Sequence, residues 1–197
     1  MVVLRSRVVR IFFRSGPHPN DWMQFRTIGP LPTARFDHHQ LGVPAGVMYV
    51  ARRGNTPAPL DALACAVAET FQATRLVDTM TRDPWIVWWK PSRPIHLLDL
   101  GSAWLTRAGG NQALCSGDRR RSQTWARSIH AAAKQWSNSI DGLSWPSSVL
   151  GPGRNAVLTE AAADAIPYRP DVLRPLHDPG LAPALQRAAW SIGYLLA

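Results

Sequence analysis

Asp141-Gly142-Leu143-Ser144-Trp145-Pro146-Ser147 joins an Asp-Gly turn signal to a short apolar run that is typical of a β-strand. Two earlier stretches likewise set one polar side chain among turn or core residues: Ala34-Arg35-Phe36-Asp37 and Ala66-Val67-Ala68-Glu69-Thr70-Phe71. Together they supply an arginine, a glutamate and a serine in that order. A cation, a carboxylate and a hydroxyl are the groups needed to hold a pyrophosphate and to stabilise a cationic sugar.

Short apolar runs separated by Pro- and Gly-rich turns predict β-strands on either side of these stretches. The expected strands are Val8–Phe13, Gly46–Ala51, residues 85–89, Ile95–Leu100, Asp141–Pro146 and a short last strand after the loop that starts at Gly151. Residues 17–45 contain prolines at 17, 19, 30, 32 and 44 and read as a loop. A long loop within a compact domain is typically functional, and this one contains Arg35.

Helical periodicity predicts a first helix over about Pro59–Ala73, preceded by a turn at residues 54–57. Its expected core face consists of Leu60, Leu63, Ala64, Val67 and Phe71. Glu69 lies on a different stripe, among small residues such as Ala62, Cys65 and Ala66, where another backbone or a ligand can approach closely. The alternative is that Glu69 is a solvated carboxylate at the helix edge.

Two more helices are predicted, over Arg119–Trp136 and Ala184–Leu195, with residues 167–183 as a poorly structured connector. The core face expected for the first of them consists of Trp125, Ile129, Ala132, Ala133 and Trp136. Its opening run of three arginines is disfavoured by the helix dipole. Solvation is the usual explanation of such a run, and an anion-facing role is the alternative.

Mixed short strands with segregated helices indicate an α+β fold, a single domain with a small split mixed β-sheet flanked by helices. We expect residues 1–165 to form the catalytic domain. We expect residues 166–197 to be a C-terminal extension whose helix packs on the same domain. A chain of 197 residues is long enough to bury a core without disulfides.

The formal net charge of +9 calls for an anionic partner such as a nucleotide, a nucleic acid, an acidic protein or a membrane surface. The two cysteines, Cys65 and Cys115, provide no disulfide framework and no metal-binding spacing. His38 and His39 are adjacent and point to opposite faces of an extended segment, so no metal is expected. Charged residues interrupt the apolar N-terminal run, and no stretch has the length of a membrane span. We therefore expect a cytoplasmic protein.

In six places the sequence resembles the RES-domain family, which is named for its arginine, glutamate and serine. The matching stretches, which lie between about Val8 and Ala163, are Arg35-Phe36, Met48-Tyr49-Val50-Ala51, Ala66-Val67-Ala68-Glu69, Leu97-Leu98-Asp99-Leu100, Trp125-Ala126-Arg127 and Asp141 through Ser147. Each stretch alone is weak, but their common order makes coincidence an unsatisfactory explanation. Two departures are Ala34, where the family often has glycine, and Ser148, where it often has arginine.

The resemblance implies an ADP-ribosyltransferase-like fold and an enzyme that consumes NAD by cleaving the nicotinamide–ribose bond. Family members pass the ADP-ribosyl group to water (NAD glycohydrolases), to inorganic phosphate (NAD phosphorylases) or to a protein. They are toxins of bacterial toxin–antitoxin pairs, so a helix-turn-helix antitoxin is the implied partner. NAD, and inorganic phosphate as a possible co-substrate, are the implied ligands. The residues themselves indicate no metal and no membrane partner, and nucleic acid is kept only as a competing, less favoured partner.

The resemblance also implies roles for individual residues. Glu69 would stabilise the oxocarbenium-like transition state, Arg35 would bind the pyrophosphate or an incoming phosphate, and Ser147 would hold the nicotinamide ribose. Tyr49 and Trp125 would stack on the nicotinamide ring. Structural alternatives remain open: Arg35 pins its loop, and the two aromatic residues belong to the core.

Two further points stay open at this stage. Ser148 is the alternative to Ser147 as the functional hydroxyl, although the register favours Ser147. Asn155 either caps a turn or touches the nucleotide, and the cap is favoured.

Two other functions compete with NAD cleavage. One is an ADP-ribosyltransferase that modifies a specific protein or nucleic acid. The other is a non-enzymatic nucleic-acid binder that uses its arginines and tryptophans, for which affinity would fall steeply with salt and Glu69 would be irrelevant.

Overall fold

The computed structural model describes residues 1–40, 42–43, 45–53, 61–136, 139–151 and 153–197 of the chain, which contain both strands and helices. The described strands are β1 Val2–Leu4, β2 Val8–Phe13, β3 Val47–Arg52, β4 Leu76–Val77, β5 Pro84–Trp89, β6 Ile95–Asp99, β7 Gly142–Pro146, β8 Arg154–Thr159, β9 Val172–Pro175 and β10 Leu195–Leu196. The described helices are α1 Asp61–Thr70, α2 Ala103–Arg107, α3 Ala113–Ser116, α4 Arg119–Ala133, α5 Ala182–Ser191 and a 3-10 helix, Glu160–Ala165.

Eight of the described strands form one sheet in the order β1-β6-β7-β8-β3-β2-β5-β9. The β6–β7 pair is parallel and the other neighbours are antiparallel, so the sheet is mixed. A parallel connection needs a long crossover, and α2, α3 and α4 supply it between β6 and β7. The α+β class predicted from the sequence is confirmed.

The Asp141-Gly142 pair fixes the start of β7. A Cβ atom on Gly142 would lie 2.1 Å from the Val157 carbonyl oxygen, so only glycine allows β8 to approach this closely. The Asp141 carboxylate receives two hydrogen bonds from Arg93, of 2.9 and 3.0 Å, and a third from the His96 backbone N–H at 2.7 Å. The Asp-Gly signal therefore aligns β7 with β6 and β8.

Apolar side chains form three buried clusters around the sheet. One lies under α1 and α5 and includes Val67 and Leu185. The second lies against the 3-10 helix and includes Trp89. The third lies between β6–β8 and α2–α4 and includes Phe36 and Trp145. Because Phe36 is completely buried there, the loop that carries Arg35 is anchored to the core.

Most of the predicted strands are confirmed, and β2 has the predicted bounds, Val8–Phe13. The prediction for residues 167–183 was wrong, because this segment contains β9, which pairs with β5 at the edge of the sheet. The short strands β1, β4 and β10 were not predicted. Strands of two or three residues are too short for the alternation of apolar and polar residues to stand out.

The three predicted helices are present close to their predicted positions, but the buried face was predicted correctly for α1 and only in part for α4. Leu63, Ala64, Val67 and Phe71 of the expected first core face are buried. The expected core face of α4 was right only in part: Ile129 is buried and Trp125 packs against the third cluster. Ser122, Gln123 and Ala126 are buried as well, while Ala132 and Trp136 are exposed. The predicted turn at residues 54–57, the first two residues of the predicted helix (59–60) and residue 152 lie outside the described residues.

Candidate active site

A cavity of about 350 Å³ opens between α1, strands β2 and β3, the loop before β3 and the first turn of α4. Its polar lining residues include Arg10, Arg26, Arg35, Tyr49, Glu69, Gln72, Arg119, Ser148 and Asn155. Glu69 is the one carboxylate that lines it within the described part of the chain, opposite four arginines. An excess of guanidinium groups over carboxylates suits an anionic ligand.

Glu69 lies in the last turn of α1 and is only half-buried. Its Oε1 atom accepts hydrogen bonds from the Ser147 hydroxyl and from the Asn155 side-chain amide, both at 2.6 Å. Both hydrogen bonds from described residues end on Oε1, so Oε2 keeps its capacity to accept. The carboxylate is therefore fixed in orientation with one oxygen available.

Ser147 follows β7 and is buried. Its hydroxyl oxygen accepts the backbone N–H groups of Val149 (3.1 Å) and Leu150 (2.9 Å), and its proton is directed to Glu69. The neighbouring Ser148 is exposed and lines the cavity. Of the two serines, one therefore holds Glu69 and the other faces the cavity.

Asn155, on β8, forms hydrogen bonds with both Glu69 and the buried Cys65. The Cys65 thiol donates to its Oδ1 atom across 3.3 Å, which leaves its amide nitrogen directed toward Glu69. Burial, and then the charge of Glu69, raise the pKa of the Cys65 thiol to about 12, so it remains a proton donor. The turn cap favoured for Asn155 from the sequence was wrong, because Asn155 lies within a strand and contacts the carboxylate.

Arg35 is buried, and its guanidinium group spans to α3 and α4. It donates to the Gly117 carbonyl oxygen at 2.9 Å, to the Ser122 hydroxyl at 3.2 Å and, over longer distances, to the carbonyl oxygens of Leu114 and Ser116. Burial, and then the positive charge of Arg119, lower the pKa of Arg35, while Glu69 acts in the opposite direction. Arg35 thus both lines the cavity and holds the end of α3.

Tyr49 lies on β3 and donates its hydroxyl proton to the Arg35 carbonyl oxygen at 2.9 Å. Burial, and then the charge of Asp37, raise the pKa of Tyr49 above its usual value, so the hydroxyl stays protonated. Its ring meets Trp145 edge-on, with 6.3 Å between ring centroids. Phe36 packs against the same tryptophan at 4.8 Å. Aromatic contacts and one hydrogen bond therefore fix the loop that carries Arg35.

Arg10 and Arg26 add positive charge to the cavity while being held by the protein. One nitrogen of Arg10 donates to three carbonyl oxygens between residues 21 and 24, at 2.8–3.1 Å. Burial lowers the pKa of Arg10 to about 10, which leaves it charged at neutral pH. Arg26 forms an ion pair of 2.7 Å with Asp37, which is fully buried.

Trp125 does not lie at this cavity. It lines a second cavity of about 280 Å³ with Gly109, Gly110 and Arg121, on the side of α4 that faces the α2–α3 connection. Trp145 is the tryptophan that lines the first cavity. The structure thus brings together Arg35, Tyr49, Glu69 and Ser147, and it sets Trp125 apart from them.

Arg10, Arg26, Gln72 and Trp145 line the cavity and were not predicted from the sequence, while Asn155 and the arginine run that starts at Arg119 were considered there only as the less favoured alternatives. Arg10 had a signal, since an arginine in the middle of the apolar run Val8–Phe13 is unusual. For the other unpredicted residues the sequence has no signal that separates a cavity residue from a core or surface residue, because their positions depend on contacts between elements that are far apart in the chain.

Among the described residues, no group of three or more His, Cys, Asp or Glu side chains could hold a metal ion. Within these residues, no helix is long and apolar enough to cross a membrane.

Comparison with known proteins identifies the family. The model of the RES domain matches residues 7–177, which is most of the chain, and the chain therefore belongs to the RES-domain family. The match extends past residue 165, where the resemblance found in the sequence ended. No curated protein matches the chain.

A solved structure is also similar, the M. tuberculosis MbcT-MbcA toxin-antitoxin complex. A chain of that complex shares 17% sequence identity with this one, and the TM-score is 0.47. The likeness covers 87% of this chain and 82% of that chain.

Proposed function

We propose that this protein is an NAD-cleaving enzyme that breaks the nicotinamide–ribose bond, with Glu69 as its catalytic carboxylate. The observation that carries the proposal is a fixed glutamate with one available oxygen in a cavity whose other charged lining residues, among those described, are arginines. A dinucleotide presents an anionic pyrophosphate and develops positive charge on its ribose. The cavity has the charges that complement both.

The chemistry requires one carboxylate. The C–N bond between ribose and nicotinamide breaks with both electrons going to nitrogen, so the pyridinium ring leaves as neutral nicotinamide and no general acid is needed. Positive charge develops on the ribose carbon and ring oxygen, where the Glu69 carboxylate stabilises it. Ordinary glycoside hydrolysis, in contrast, uses a pair of carboxylates.

The other residues bind and orient the substrate in this proposal. Arg35 and Arg10 supply positive charge near the pyrophosphate, and Tyr49 and Trp145 supply aromatic surface for the nicotinamide ring. Ser147 acts by holding Glu69, while the hydroxyl of Ser148 is the one available to a ribose. Trp125 has no part in this assignment because it lies at the second cavity.

The acceptor is water or inorganic phosphate. With water, the ribose carbon gains a hydroxyl group and one proton is released. With phosphate, a phosphate oxygen forms the new bond and the product is a phosphorylated ADP-ribose. The positive charge of four arginines raises the local concentration of phosphate at the cavity, which supports phosphate as the acceptor.

Family membership and the net charge of +9 support a toxin that is neutralised by an acidic or helix-turn-helix antitoxin, with the cytoplasm as the site of action because NAD is there. We take residues 1–165 as the catalytic domain. We take residues 166–197 as the extension that packs on it through α5.

Product analysis tests the proposal. Purified protein is incubated with NAD, with and without phosphate, and the products are separated and identified by mass. We expect free nicotinamide with ADP-ribose or its phosphorylated form. With labelled NAD and cell lysate, label retained on macromolecules would instead indicate an ADP-ribosyltransferase, and NAD left intact would contradict both activities.

A further inference from the structure

The four arginines at the cavity differ in how far the protein itself uses them. Arg10, Arg26 and Arg35 each donate to two or more acceptors of the chain, including the Asp37 carboxylate and the carbonyl oxygens at the end of α3. Their guanidinium groups are thereby fixed. A ligand can gain charge stabilisation from them, but fewer new hydrogen bonds.

Arg119 is different. Its one hydrogen bond to a described residue runs from Nη2 to the Gln72 side-chain oxygen, and at 3.3 Å it is long. The amide group of Gln72 also donates to the Glu69 carbonyl oxygen at 2.9 Å. Gln72 therefore holds Arg119 beside the helix turn that carries Glu69, and most of the arginine's donors remain available.

Arg119 also acts electrostatically on the cavity, since its charge is the second cause, after burial, of the lowered pKa of Arg35. Both guanidinium groups line the cavity and repel each other, and an anion bound between them offsets that repulsion. A phosphate group supplies both the negative charge and the acceptor oxygens that a planar guanidinium binds in pairs.

We propose that Arg119 is the principal phosphate-binding residue of this cavity and sets its preference for phosphate-bearing ligands. The proposal rests on the proposed function for the identity of the substrate, NAD, but not for the phosphate chemistry. The phosphate is either the pyrophosphate of the dinucleotide or free inorganic phosphate. In both cases Arg119 exchanges Gln72 for a phosphate oxygen.

The test compares Arg119→Ala, Arg119→Lys and the matched control Arg120→Ala, whose side chain is almost fully exposed. KM and kcat are measured for NAD and for phosphate, and for nicotinamide riboside, which lacks a phosphate. Binding of ADP-ribose and of pyrophosphate is measured by calorimetry in the Glu69→Gln background. Thermal unfolding of every variant checks the fold.

We expect Arg119→Ala to raise KM for NAD, or for phosphate, by about 10- to 100-fold with kcat changed by less than about threefold. Arg119→Lys keeps the charge without the paired donors, so we expect a smaller rise. Hydrolysis of nicotinamide riboside in the absence of phosphate stays unchanged, because neither substrate then carries a phosphate group. A higher KM for NAD alone assigns Arg119 to the pyrophosphate of NAD. A higher KM for phosphate alone assigns it to the phosphate co-substrate.

Wild-type affinity for NAD, phosphate and ADP-ribose in a folded Arg119→Ala variant would overturn the proposal. An equal loss in Arg120→Ala would do the same, since it would reflect only the overall charge of the surface. If the wild-type protein does not cleave NAD, the proposed function fails. The calorimetric arm with pyrophosphate then still decides the role of Arg119.

Discussion

Four side chains from α1, β8 and the turn after β7 form a continuous hydrogen-bonded chain at the cavity, running from Cys65 through Asn155 and Glu69 to Ser147. The Glu69 carboxylate can only accept, so it sets the direction of the Asn155 amide, and the Cys65 thiol supports that direction. An amide group can bind with either end, and a thiol proton on its oxygen side leaves the nitrogen side for the carboxylate. The buried cysteine thus acts as an orienting donor and not as a nucleophile, because its pKa is raised to about 12.

Replacing Cys65 tests this chain. In Cys65→Val the thiol donor is replaced by an apolar side chain, so the oxygen side of the Asn155 amide loses its donor and the amide is held less firmly against Glu69. We expect kcat for NAD to fall about 3- to 10-fold with little change in KM, while Cys65→Ser, which restores a donor, stays near wild type. A Cys65→Val enzyme with wild-type kcat would contradict an orienting role.

A second residue-scale prediction concerns His38, which is buried and stacked on His130 with 4.1 Å between ring centroids. Burial, and then the charges of His130, His39 and Arg26, lower its pKa to about 4, against an opposing effect of Asp37. The unfolded chain therefore binds a proton near pH 6.5 that the folded protein accepts only near pH 4. The contribution of His38 to the free energy of unfolding is therefore fully present above about pH 6.5 and is lost as the pH falls toward 4.

The measurement is the free energy of unfolding between pH 4 and 7 by denaturant titration. We expect His38→Phe to flatten this pH dependence by at most about 3 kcal/mol. His18→Phe, at an exposed position, serves as the control. An unchanged pH slope in His38→Phe would show that His38 is not the titrating group.

At the scale of elements, the β7–β8 contact matters most for the site, because Ser147 follows β7 and Asn155 lies on β8. The two strands pair with Gly142 opposite Leu158 and Trp145 opposite Asn155. A shift in this register would separate the serine and the asparagine from Glu69. The position of α1 over β8 supplies the third part of the arrangement.

Gly142→Ala tests the close approach of these strands. An added Cβ would meet the Val157 carbonyl oxygen at 2.1 Å, and a backbone atom cannot move away as a flexible side chain can. We expect a loss of about 1–3 kcal/mol or more in the free energy of unfolding. Gly151→Ala is the control, since a Cβ there meets nothing within 4 Å, and equal stability of the two variants would refute this reading.

On the scale of the whole molecule, the C-terminal residues pack against α1, the helix that carries Glu69. Leu185, Ala188 and Ala189 of α5 are buried in the cluster that contains α1. The Tyr194 hydroxyl donates to the Ala68 carbonyl oxygen at 3.3 Å, one residue before Glu69. The extension is therefore part of the packing that positions the carboxylate.

Truncation before α5 tests that dependence. We expect a chain ending at residue 181 to be strongly destabilised, because the apolar face of α1 would lie open to water. Thermal unfolding and hydrogen exchange of α1 amides are the measurements. A truncated protein with native stability and protected α1 amides would contradict a supporting role for α5.

The features that depend on residues close together in the chain were predicted from the sequence, and most features that depend on residues far apart were not. The α+β class, most strands and the buried face of α1 follow from local periodicity, and six ordered motifs identified the family. The buried face of α4 followed only in part, because polar Ser122 and Gln123 are buried to bind groups of the Arg35 loop and α3. β9 and the partners of Glu69 depend on contacts between residues far apart in the chain, which no local pattern encodes.

The most direct test of the account is NAD cleavage by Glu69→Gln beside wild type and Glu160→Gln, an exposed glutamate outside the cavity. Glutamine keeps the shape of the side chain and removes the charge that stabilises the oxocarbenium-like transition state. We predict that kcat falls at least about 100-fold in Glu69→Gln, with an unchanged unfolding midpoint, and stays at the wild-type value in Glu160→Gln. Undiminished NAD cleavage by a folded Glu69→Gln protein would contradict the account.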